Sequence, residues 1–413
     1  MLFPRHTSTQ PKRRVVVTGC GLVTPLGLGM AVNSEGFRTG QTAFRRVTNF
    51  DVSRQRVRTA AEVDLPDELP ATSLAPRHIR LLDRAGRMLL WAAHEASQQA
   101  KWEKQTPASF IVGTTGGGMS LGETYFRTAL HEPLARRGQP TRSLGYQAPR
   151  QAALVAQACG LNGPVNVIAN ACASGANAIG HAWEQVRMGR VERVLAAGYD
   201  GIGQLIFAGF DSLQALSPTQ CRPFDAQRDG LALGEGAAAL ALETLEAAQA
   251  RGATILAELV GYGAATDVHH LTQPHPNGDA AVASMSEACR SAGLEPGDID
   301  YVNAHGTGTP LNDSAEAAAI TRWAGTRAAT LSVSSTKAGI GHLLGAAGGV
   351  EAAICLLALR GQWLPPMLAT RTPDPACGFP LVTQPAAARL THVMTNSFGF
   401  GGANATLIFR RWA

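Results

Sequence analysis

The chain has 413 residues, of which 45% are hydrophobic and 16% are charged, and its formal net charge is +5. This length allows two or three domains, or one large duplicated α/β unit, with ample material for a buried core. The mild charge, without a dense run of lysine and arginine, argues against a nucleic-acid-binding protein.

Seven scattered cysteines, none of them in a CxxC pair, argue against a disulfide framework and a metal site, and they indicate a reducing compartment. Residues 1–12 are basic and lack the apolar stretch of a signal peptide, so we predict a disordered basic lead. No apolar run is expected to reach membrane-spanning length. We therefore expect a soluble cytoplasmic protein without a metal site.

Apolar strands alternate with helices through the first half of the chain. In chain order, the predictions are a strand over 13–18 that enters the glycine loop GCGLVTPLG, a helix over 80–100, a strand over 109–115, a loop-rich stretch over 116–150, a strand over 164–170, a helix over 173–189 and a strand over 193–200. The last three elements form a strand–cysteine–helix–strand unit.

The second half begins in the style of the first, because ILAELVGYGAATD is again an apolar strand that enters a glycine turn. IDYVNAHGTGTP (299–310) is predicted as a strand that ends in a loop. A long apolar helix follows, and the chain closes as strand, glycine loop and strand. We predict two halves, 13–254 and 255–413, around a mostly parallel sheet that helices cover on both faces.

The stretch NACASGANAIG places Cys172 between a strand and a helix of small residues. Unpaired N–H groups and the partial positive charge of a helix N-terminus favour the nucleophilic thiolate. The same N–H groups can hold a developing oxyanion. A buried structural cysteine is the alternative for Cys172, and it is what we expect of the other six.

Two histidines stand next to glycine loops. His305 follows the strand IDYVNA, and His342 lies in GIGHLLGAAGG at the start of the long apolar helix. Desolvation would keep both rings neutral, so that each has an N–H to donate to an enolate oxygen beside a thioester. The alternative is two satisfied core histidines, but such positions are where α/β sheets place ligands.

Four motifs occur in one order: ACASG with Cys172, VNAHGTGTP with His305, STKxxxGHLLGAAG with Lys337 and His342, and NSFGFGGAN with Phe400. In this order and over nearly the whole chain, they resemble the type II elongating β-ketoacyl-[acyl carrier protein] synthases. The resemblance implies a thiolase-like five-layered αβαβα fold that is internally duplicated. It also implies a homodimer as the rule, with a heterodimer as the exception.

The resemblance further implies a mechanism. An acyl group passes from acyl carrier protein to Cys172 as a thioester. His305 and His342 polarise malonyl carrier protein while it loses its carboxyl group, and the carbanion attacks the acyl-cysteine. The backbone N–H groups of Cys172 and Phe400 form the oxyanion hole, and Phe400 gates the acyl pocket. The order Cys, His, His is not that of thiolases, which use a second cysteine, nor that of initiating synthases, which use Cys, His, Asn.

Other positions are assigned by the same resemblance. Thr307 and Thr309 would bind the phosphopantetheine arm, which the carrier protein supplies, and no cofactor of the enzyme's own is expected. Lys337 would complete the catalytic set within a charged network, for which a structural ion-pair network is the alternative. The carboxylates of this network would be Asp313, Glu316 and Glu351.

Arginines occur at positions 77, 80, 84 and 87, a spacing that places them on one stripe of a helix. The matching region of the family contacts the acidic carrier protein, so we predict that Arg77, Arg80, Arg84 and Arg87 form a docking face. A solvated basic face is the alternative.

Three departures from the elongating pattern favour a second pathway. The chain has HGTGT where elongating synthases commonly have HGTST, Gly339-Ile340 where they have Met-Thr, and Gly116 where many have a bulky aliphatic residue. Gly116 implies more room for the acyl chain. Fatty-acid elongation is the main prediction. A dedicated ketosynthase of a polyene or polyketide-like lipid pathway, paired with a second subunit, is the alternative.

Other classes of protein fit less well. A dinucleotide-binding oxidoreductase would need a third glycine where GCGLVT has Thr24, and the chain has no phosphate loop. A cysteine hydrolase would need one histidine, an oriented Asn or Asp and a water path, whereas the apolar helix after His342 indicates a dry site. A non-catalytic partner subunit would lack the nucleophile, and Cys172 is present.

Overall fold

The computed structural model describes residues 12–102, 107–134 and 137–412, so the predicted lead lies outside the described residues except for Lys12. The strands are β1 (Val15–Thr24), β2 (Gly27–Leu28), β3 (Phe44–Arg46), β4 (Thr59–Ala61), β5 (Ser109–Gly113), β6 (Val165–Ile168), β7 (Arg193–Asp200), β8 (Gly236–Thr244), β9 (Ala257–Thr266), β10 (Tyr301–Asn303), β11 (Ser332–Ser334), β12 (Trp363–Leu364), β13 (Ala386–Ala387), β14 (His392–Phe398) and β15 (Ala403–Arg411).

The helices are α1 (Met30–Arg38), α2 (Pro76–Ile79), α3 (Arg84–Gln99), α4 (Met119–His131), α5 (Gln139–Gly145), α6 (Ala148–Cys159), α7 (Ser174–Arg187), α8 (Gln204–Ser212), α9 (Leu245–Ala250), α10 (Asp279–Ala292), α11 (Pro310–Ala324), α12 (Lys337–Ile340) and α13 (Ala347–Gly361). The stretch 116–150, predicted as loop-rich, therefore contains α4 and α5. The prediction of a loop-rich stretch was wrong.

The strand order shows an internal duplication. The first half of the chain contributes the order β6-β5-β7-β8-β1 and the second half the order β11-β10-β14-β15-β9. In each half the two outermost pairings are parallel and the two next to the junction are antiparallel. A short antiparallel contact between β1 and β9 joins the halves. The sheet is therefore mixed, and the prediction of a mostly parallel sheet was wrong.

Helices from the two halves form the middle of the molecule. Helices α7 and α13 pack on each other and against strands of both halves. Helices α3 and α6 cover the outer face of the first half, and α10 covers that of the second half, with α11 packed against it. This arrangement gives the five layers αβαβα. The division at residues 254 and 255 stays a prediction, although the duplication changes over between α9 and β9.

The glycine segment after residue 18 is part of a strand and not a loop. Strand β1 runs without interruption to Thr24 and is buried throughout. A Cβ at Gly19 or Gly21 would collide with the backbone of α3, so these glycines let the helix pack directly on the strand. The segment is therefore packed core, which leaves no phosphate-binding turn for a dinucleotide.

One segment, Leu344–Gly361, is long and apolar enough to cross a membrane by length and composition, although the sequence analysis expected no such run. Within the protein 89% of this segment is buried. It includes α13, whose apolar character comes from its place in the central layer, where both faces meet other parts of the chain.

Candidate active site

Cys172 lies in a tight turn between β6 and α7. Ala171 has a φ of +55°, and the next two residues lead into the helix. The Ser174 hydroxyl donates to the Ala171 carbonyl at 2.6 Å and accepts from the Asn170 N–H at 2.9 Å. These bonds hold the unusual backbone of Ala171, because a non-glycine residue enters this region only at a cost in energy. The Cys172 sulfur is thus fixed at the start of the helix.

Burial dominates the acidity of the thiol. Burial is the largest cause and, together with the charge of Asp200, it raises the pKa of Cys172 to about 11. The charge of Lys337 and the backbone N–H groups of Phe400 and Cys172 act in the opposite direction. The N–H groups therefore act in the expected direction, but desolvation outweighs them, so the net shift favours the thiol.

His305 and His342 meet with ring centroids 5.3 Å apart and ring planes at 86°. His305 lies just after β10. The backbone of His342 donates to the Ala232 carbonyl at 2.7 Å, and its carbonyl accepts from Gly234 N–H at 3.0 Å. Burial and the charge of Lys337 lower the pKa of both imidazoles well below the usual range. Both rings are therefore neutral, as the sequence analysis predicted.

One cavity of about 370 Å³ brings these residues together. Among its lining residues are the nucleophile candidate, both histidines, the two threonines of the HGTGT loop and the aromatic gate candidate: Cys172, His305, His342, Thr307, Thr309 and Phe400. Residues from both halves of the chain contribute to it. Within the described residues, no group of His, Cys, Asp or Glu side chains is arranged to hold a metal ion.

Phe400 forms part of the cavity wall and is 39% exposed. Its ring stacks on Phe210 of α8 with centroids 5.9 Å apart. The next residue, Gly401, donates its N–H to the Leu271 carbonyl at 2.7 Å. Phe400 thus presents a backbone N–H to the Cys172 sulfur and an aromatic ring to the cavity. Its roles as oxyanion donor and gate stay predictions.

Lys337 lies behind the cavity and not in its wall. Its ammonium forms a buried ion pair with Glu351, and both side chains are almost completely buried. Burial raises the pKa of Glu351, while Lys337 opposes this shift. Because Lys337 lowers the pKa of Cys172, His305 and His342, it acts on the reacting groups through its charge rather than by contact.

Asp313 and Glu316 hold the backbone of the HGTGT loop. Asp313 accepts N–H bonds from Thr307 and Gly308, each at 3.0 Å. Glu316 accepts the His305 N–H at 2.8 Å. Within the described residues, the carboxylate that pairs directly with Lys337 is Glu351. The expected charged network is therefore divided, with one carboxylate on the lysine and two on the loop.

Thr307 and Thr309 lie together at the cavity, with their hydroxyl oxygens 2.9 Å apart. Thr307 is buried, and Thr309 is partly exposed. Their positions give two hydroxyl groups along one side of the cavity. Binding of a phosphopantetheine arm by this pair stays a prediction.

The four arginines do not share one helix. Arg77 belongs to α2 and Arg80 ends it, whereas Arg84 and Arg87 belong to α3. Arg84 forms a bidentate ion pair with the fully buried Glu235, and Arg87 donates to loop carbonyls. The prediction of one helical stripe was wrong, because the chain turns between the helices. Arg77 and Arg80 remain exposed.

Two further residues lie beside the site and were not among the predicted site residues. Asp200 ends β7 as a fully buried carboxylate, and Phe210 stacks on Phe400. Asp200 had a detectable signal, because a single acidic residue closes the apolar strand RVLAAGYD. Phe210 had no detectable signal in the sequence, because its role depends on contact with Phe400, almost two hundred residues further along the chain.

A duplicated five-layered fold, with a buried cysteine and two histidines in one cavity, is typical of thiolase-like acyl-transferring enzymes. Comparison with known families gives the particular group. Residues 12–248 match the beta-ketoacyl synthase N-terminal domain, and residues 256–371 match the beta-ketoacyl synthase C-terminal domain. The chain belongs to the β-ketoacyl synthase family and is an acyltransferase.

Several full-length relatives are similar to the chain. Proteins named 3-oxoacyl-[acyl-carrier-protein] synthase 2 are 36% identical in Staphylococcus aureus (strain COL), 37% in Synechocystis and 38% in Rhizobium meliloti. Each alignment covers 97% of this chain and 99% of the relative. Their similarity extends over both halves of the duplicated fold.

Solved structures agree with this fold. The ishigamide ketosynthase/chain length factor is 34% identical, with a TM-score of 0.91. A beta-ketoacyl synthase from Burkholderia phymatum is also 34% identical, with a TM-score of 0.90. Both alignments cover 97% of this chain and 100% of the other. A type II polyketide ketosynthase in complex with its acyl-carrier protein is 27% identical, with a TM-score of 0.86.

Proposed function

We propose that this chain condenses an acyl group carried on Cys172 with malonyl-[acyl carrier protein], with loss of carbon dioxide, to give 3-oxoacyl-[acyl carrier protein] in fatty-acid elongation. The observation that supports this best is the meeting of Cys172, His305 and His342 in one cavity. The names of the full-length relatives support the same reaction.

The first half-reaction loads the enzyme. The Cys172 sulfur attacks the thioester carbonyl of acyl carrier protein, and the carrier's sulfur leaves and takes up the proton of the thiol. The backbone N–H groups of Cys172 and Phe400 stabilise the tetrahedral oxyanion, since both already act on the sulfur. The product is an acyl-cysteine thioester on a sulfur that is buried in the protein.

The second half-reaction forms the carbon–carbon bond. Malonyl carrier protein loses carbon dioxide, and the N–H groups of His305 and His342 stabilise the enolate oxygen that forms. Neutral rings suit this role, because a hydrogen bond to the oxygen needs no proton transfer. The enolate carbon attacks the acyl-cysteine carbonyl and expels the Cys172 sulfur, which takes up one proton from solvent.

The substrates arrive on a flexible arm. We propose that Thr307 and Thr309 bind the phosphopantetheine arm of the carrier, because their hydroxyl groups line the cavity. The enzyme then needs no cofactor of its own. We propose that Phe400 opens and closes the acyl side of the cavity, a role that its exposure and its position in the wall support.

Gly116 is one of the three sequence departures that favour the alternative pathway. A Cβ at Gly116 would lie 3.0 Å from Cδ1 of Ile206, so a larger residue there would press against Ile206. Gly116 also lines a second cavity of about 350 Å³. This second cavity shares no lining residue with the cavity at Cys172, so the case for a long or unusual acyl chain rests on the three sequence departures. They leave a ketosynthase of a polyene or polyketide-like lipid pathway, paired with a second subunit, as the second candidate.

Two surface features support a homodimer. Helix α4 has no buried residue, and two apolar residues on it, Phe126 and Leu130, are more than 60% exposed. Among the described strands, β6 lies at one end of the sheet order, so one of its edges pairs with no described strand. We propose that two copies pair across this edge and α4. We also propose a cytoplasmic location, which the free cysteines support.

The first experiment measures loading and discharge with the chain alone. Purified protein is mixed with acyl carrier proteins of varied chain length, and intact mass should show one acyl group on Cys172. Malonyl carrier protein should then discharge it and release one carbon dioxide per product. Light scattering should show two chains per particle.

The outcomes of this experiment separate the candidates. Preference for saturated chains without any added subunit supports fatty-acid elongation. Activity only with a related second chain, or only with polyene donors, favours the alternative pathway. Failure of every donor to acylate Cys172 would contradict the proposed function.

We propose that Arg77 and Arg80, together with Arg87, form part of the carrier-protein docking face, and that Arg84 is structural. Reversal of charge at the exposed pair, Arg77→Glu with Arg80→Glu, is expected to raise the KM for malonyl carrier protein about tenfold, because rim charges steer acidic partners. The kcat should change less than about twofold.

The matched control is Arg13→Glu with Arg190→Glu, on a different part of the surface. Salt should reduce the difference between the docking variant and the wild type, because it screens exposed charges. An unchanged KM in low salt would exclude this face as the docking site.

A further inference from the structure

Asp200 is a carboxylate that joins two loops of the site. It is fully buried at the end of β7. It accepts the Thr114 hydroxyl at 2.6 Å, the Thr115 N–H at 2.7 Å and the Gly116 N–H at 2.8 Å. It also accepts the Gly345 N–H at 2.7 Å. Three of these donors follow β5, and the fourth belongs to the turn after His342.

The turn Leu344–Ala346 is held very close to its neighbours. A Cβ at Gly345 would lie 2.6 Å from the Thr115 nitrogen, so only glycine fits there. On its other side, a Cβ at Gly175 would lie 2.6 Å from the Gly345 carbonyl oxygen. Gly175 belongs to the first turn of α7, three residues after Cys172. The turn therefore lies between the loop that follows β5 and the nucleophile helix.

His342 thus has two backbone anchors. On one side, Ala232 and Gly234 bind its own N–H and carbonyl. On the other side, the chain continues only three residues before Asp200 binds the Gly345 N–H. A shift at either anchor would move the imidazole relative to the Cys172 sulfur. Displacements of about 1 Å at such distances can cost a factor of about one hundred in rate.

We propose that Asp200 is a positioning residue, which fixes the His342 segment against the nucleophile helix and the loop after β5. Asp200 does not itself appear among the residues that line the cavity, so it would act through Gly345 and not on the substrate. This inference rests on the proposed condensation, in which His342 stabilises the enolate of the malonyl substrate.

The charge of Asp200 matters for this role. Burial raises the pKa of Asp200 to about 6, while its four donors act in the opposite direction. At neutral pH the group is therefore mainly ionised, and both oxygens accept hydrogen bonds. An asparagine has the same shape, but its NH₂ group would face N–H donors and lose the bonds on one side.

The test compares the two half-reactions in Asp200→Asn. Decarboxylation of malonyl carrier protein should fall about tenfold in kcat, with its KM within about twofold, because His342 is displaced while docking is intact. Acylation of Cys172 should not fall by more than about threefold, since no Asp200 hydrogen bond reaches the Cys172 turn and loss of the Asp200 charge lowers the pKa of the thiol. The proposal would be overturned if the rates of both half-reactions fell equally and in proportion to the fraction of the variant that is folded.

A second pair of variants removes one donor and leaves Asp200 in place. Thr114→Val should slow decarboxylation about threefold, whereas Thr114→Ser, which retains the hydroxyl, should match the wild type. The double variant Thr114→Val with Asp200→Asn should be no slower than Asp200→Asn alone, because both changes affect one cluster of bonds. If the effects of the two substitutions on the decarboxylation rate multiply in the double variant, Thr114 and Asp200 do not share one role.

A crystal structure of Asp200→Asn gives a readout that does not depend on activity. The turn Leu344–Ala346 should move away from α7 by more than about 0.5 Å, the tolerance of a working catalytic constellation. A turn that stays in place would overturn the positioning role, even for an enzyme with no condensing activity. A wild-type enzyme that never loads Cys172 would instead contradict the proposed function.

Discussion

Replacement of Cys172 by alanine is expected to abolish acyl loading and to leave malonyl decarboxylation measurable. The sulfur is the nucleophile of the first half-reaction, so its removal should lower condensation by at least about a thousandfold. The histidines and the HGTGT loop stay in place, because alanine fits the space of the buried thiol. Intact mass should show no acyl adduct, while carbon dioxide release should persist within about tenfold of the wild type.

Two controls sharpen this prediction. Cys377→Ala removes a cysteine that is absent from the cavity lining, and it should retain full loading and condensation. Cys172→Ser keeps a similar shape but has a much less acidic nucleophile, so it should also fail to load. An acyl adduct on Cys172→Ala, or loss of loading in Cys377→Ala, would place the nucleophile elsewhere.

The acidity of Cys172 adds a pH dependence. Because burial raises its pKa to about 11, the thiolate fraction of the free enzyme should rise about tenfold per pH unit between pH 7 and pH 9. The rate of alkylation by iodoacetamide should rise in the same proportion. A rate that is already at its plateau at pH 7 would show a depressed pKa and would restore the expectation from the helix terminus.

The sequence predicted the parts of the site that depend on short stretches of chain. Cys172, His305 and His342 each stand at the end of an apolar strand or the start of a helix, and such positions are visible in local patterns. The motif order then implied the five-layered fold, which the strand order and the helix layers confirm. Neutral histidines followed from the apolar and glycine-rich neighbours of each residue.

The remaining features depend on which distant segments meet. Strand β1 continues through GCGLVT because α3 packs on its glycines, and no local pattern reports this contact. Arg84 is held in an ion pair by Glu235, which lies 151 positions further along the chain. The role of Asp200 requires donors from residues 114–116 and from Gly345. The raised pKa of Cys172 follows from the burial of its side chain. The burial of one particular side chain depends on tertiary packing, which local sequence does not report.

Removal of either histidine is expected to affect the second half-reaction selectively. His305→Ala and His342→Ala should each lower decarboxylation by a factor of about one hundred to one thousand, the usual effect of one lost donor to a developing oxyanion. Loading of Cys172 should fall less than about tenfold, since its own N–H donors and the charge of Lys337 remain. Carbon dioxide release and intact mass measure the two steps separately.

The matched control is His392→Ala, a histidine at the start of β14 that does not line the cavity. It should retain both half-reactions. The double variant His305→Ala with His342→Ala should lose less than the product of the single effects, because the two donors serve one oxygen. Equal loss of loading and decarboxylation in a single variant would assign the histidines to the acyl transfer as well.

The dependence on pH distinguishes neutral donors from charged ones. Burial and Lys337 lower the pKa of both imidazoles, so both rings should stay neutral as the pH falls from 8 through 6.5. Replacement of the ion pair by Lys337→Met with Glu351→Gln removes a cation that lowers these pKa values. The histidines should then become protonated at a higher pH, and acid should reduce decarboxylation earlier than in the wild type. If the decarboxylation rate of the double variant falls at the same acidic pH as that of the wild type, Lys337 serves only the packing around Glu351. If the rate falls at a higher pH, the charge of Lys337 keeps both histidines neutral.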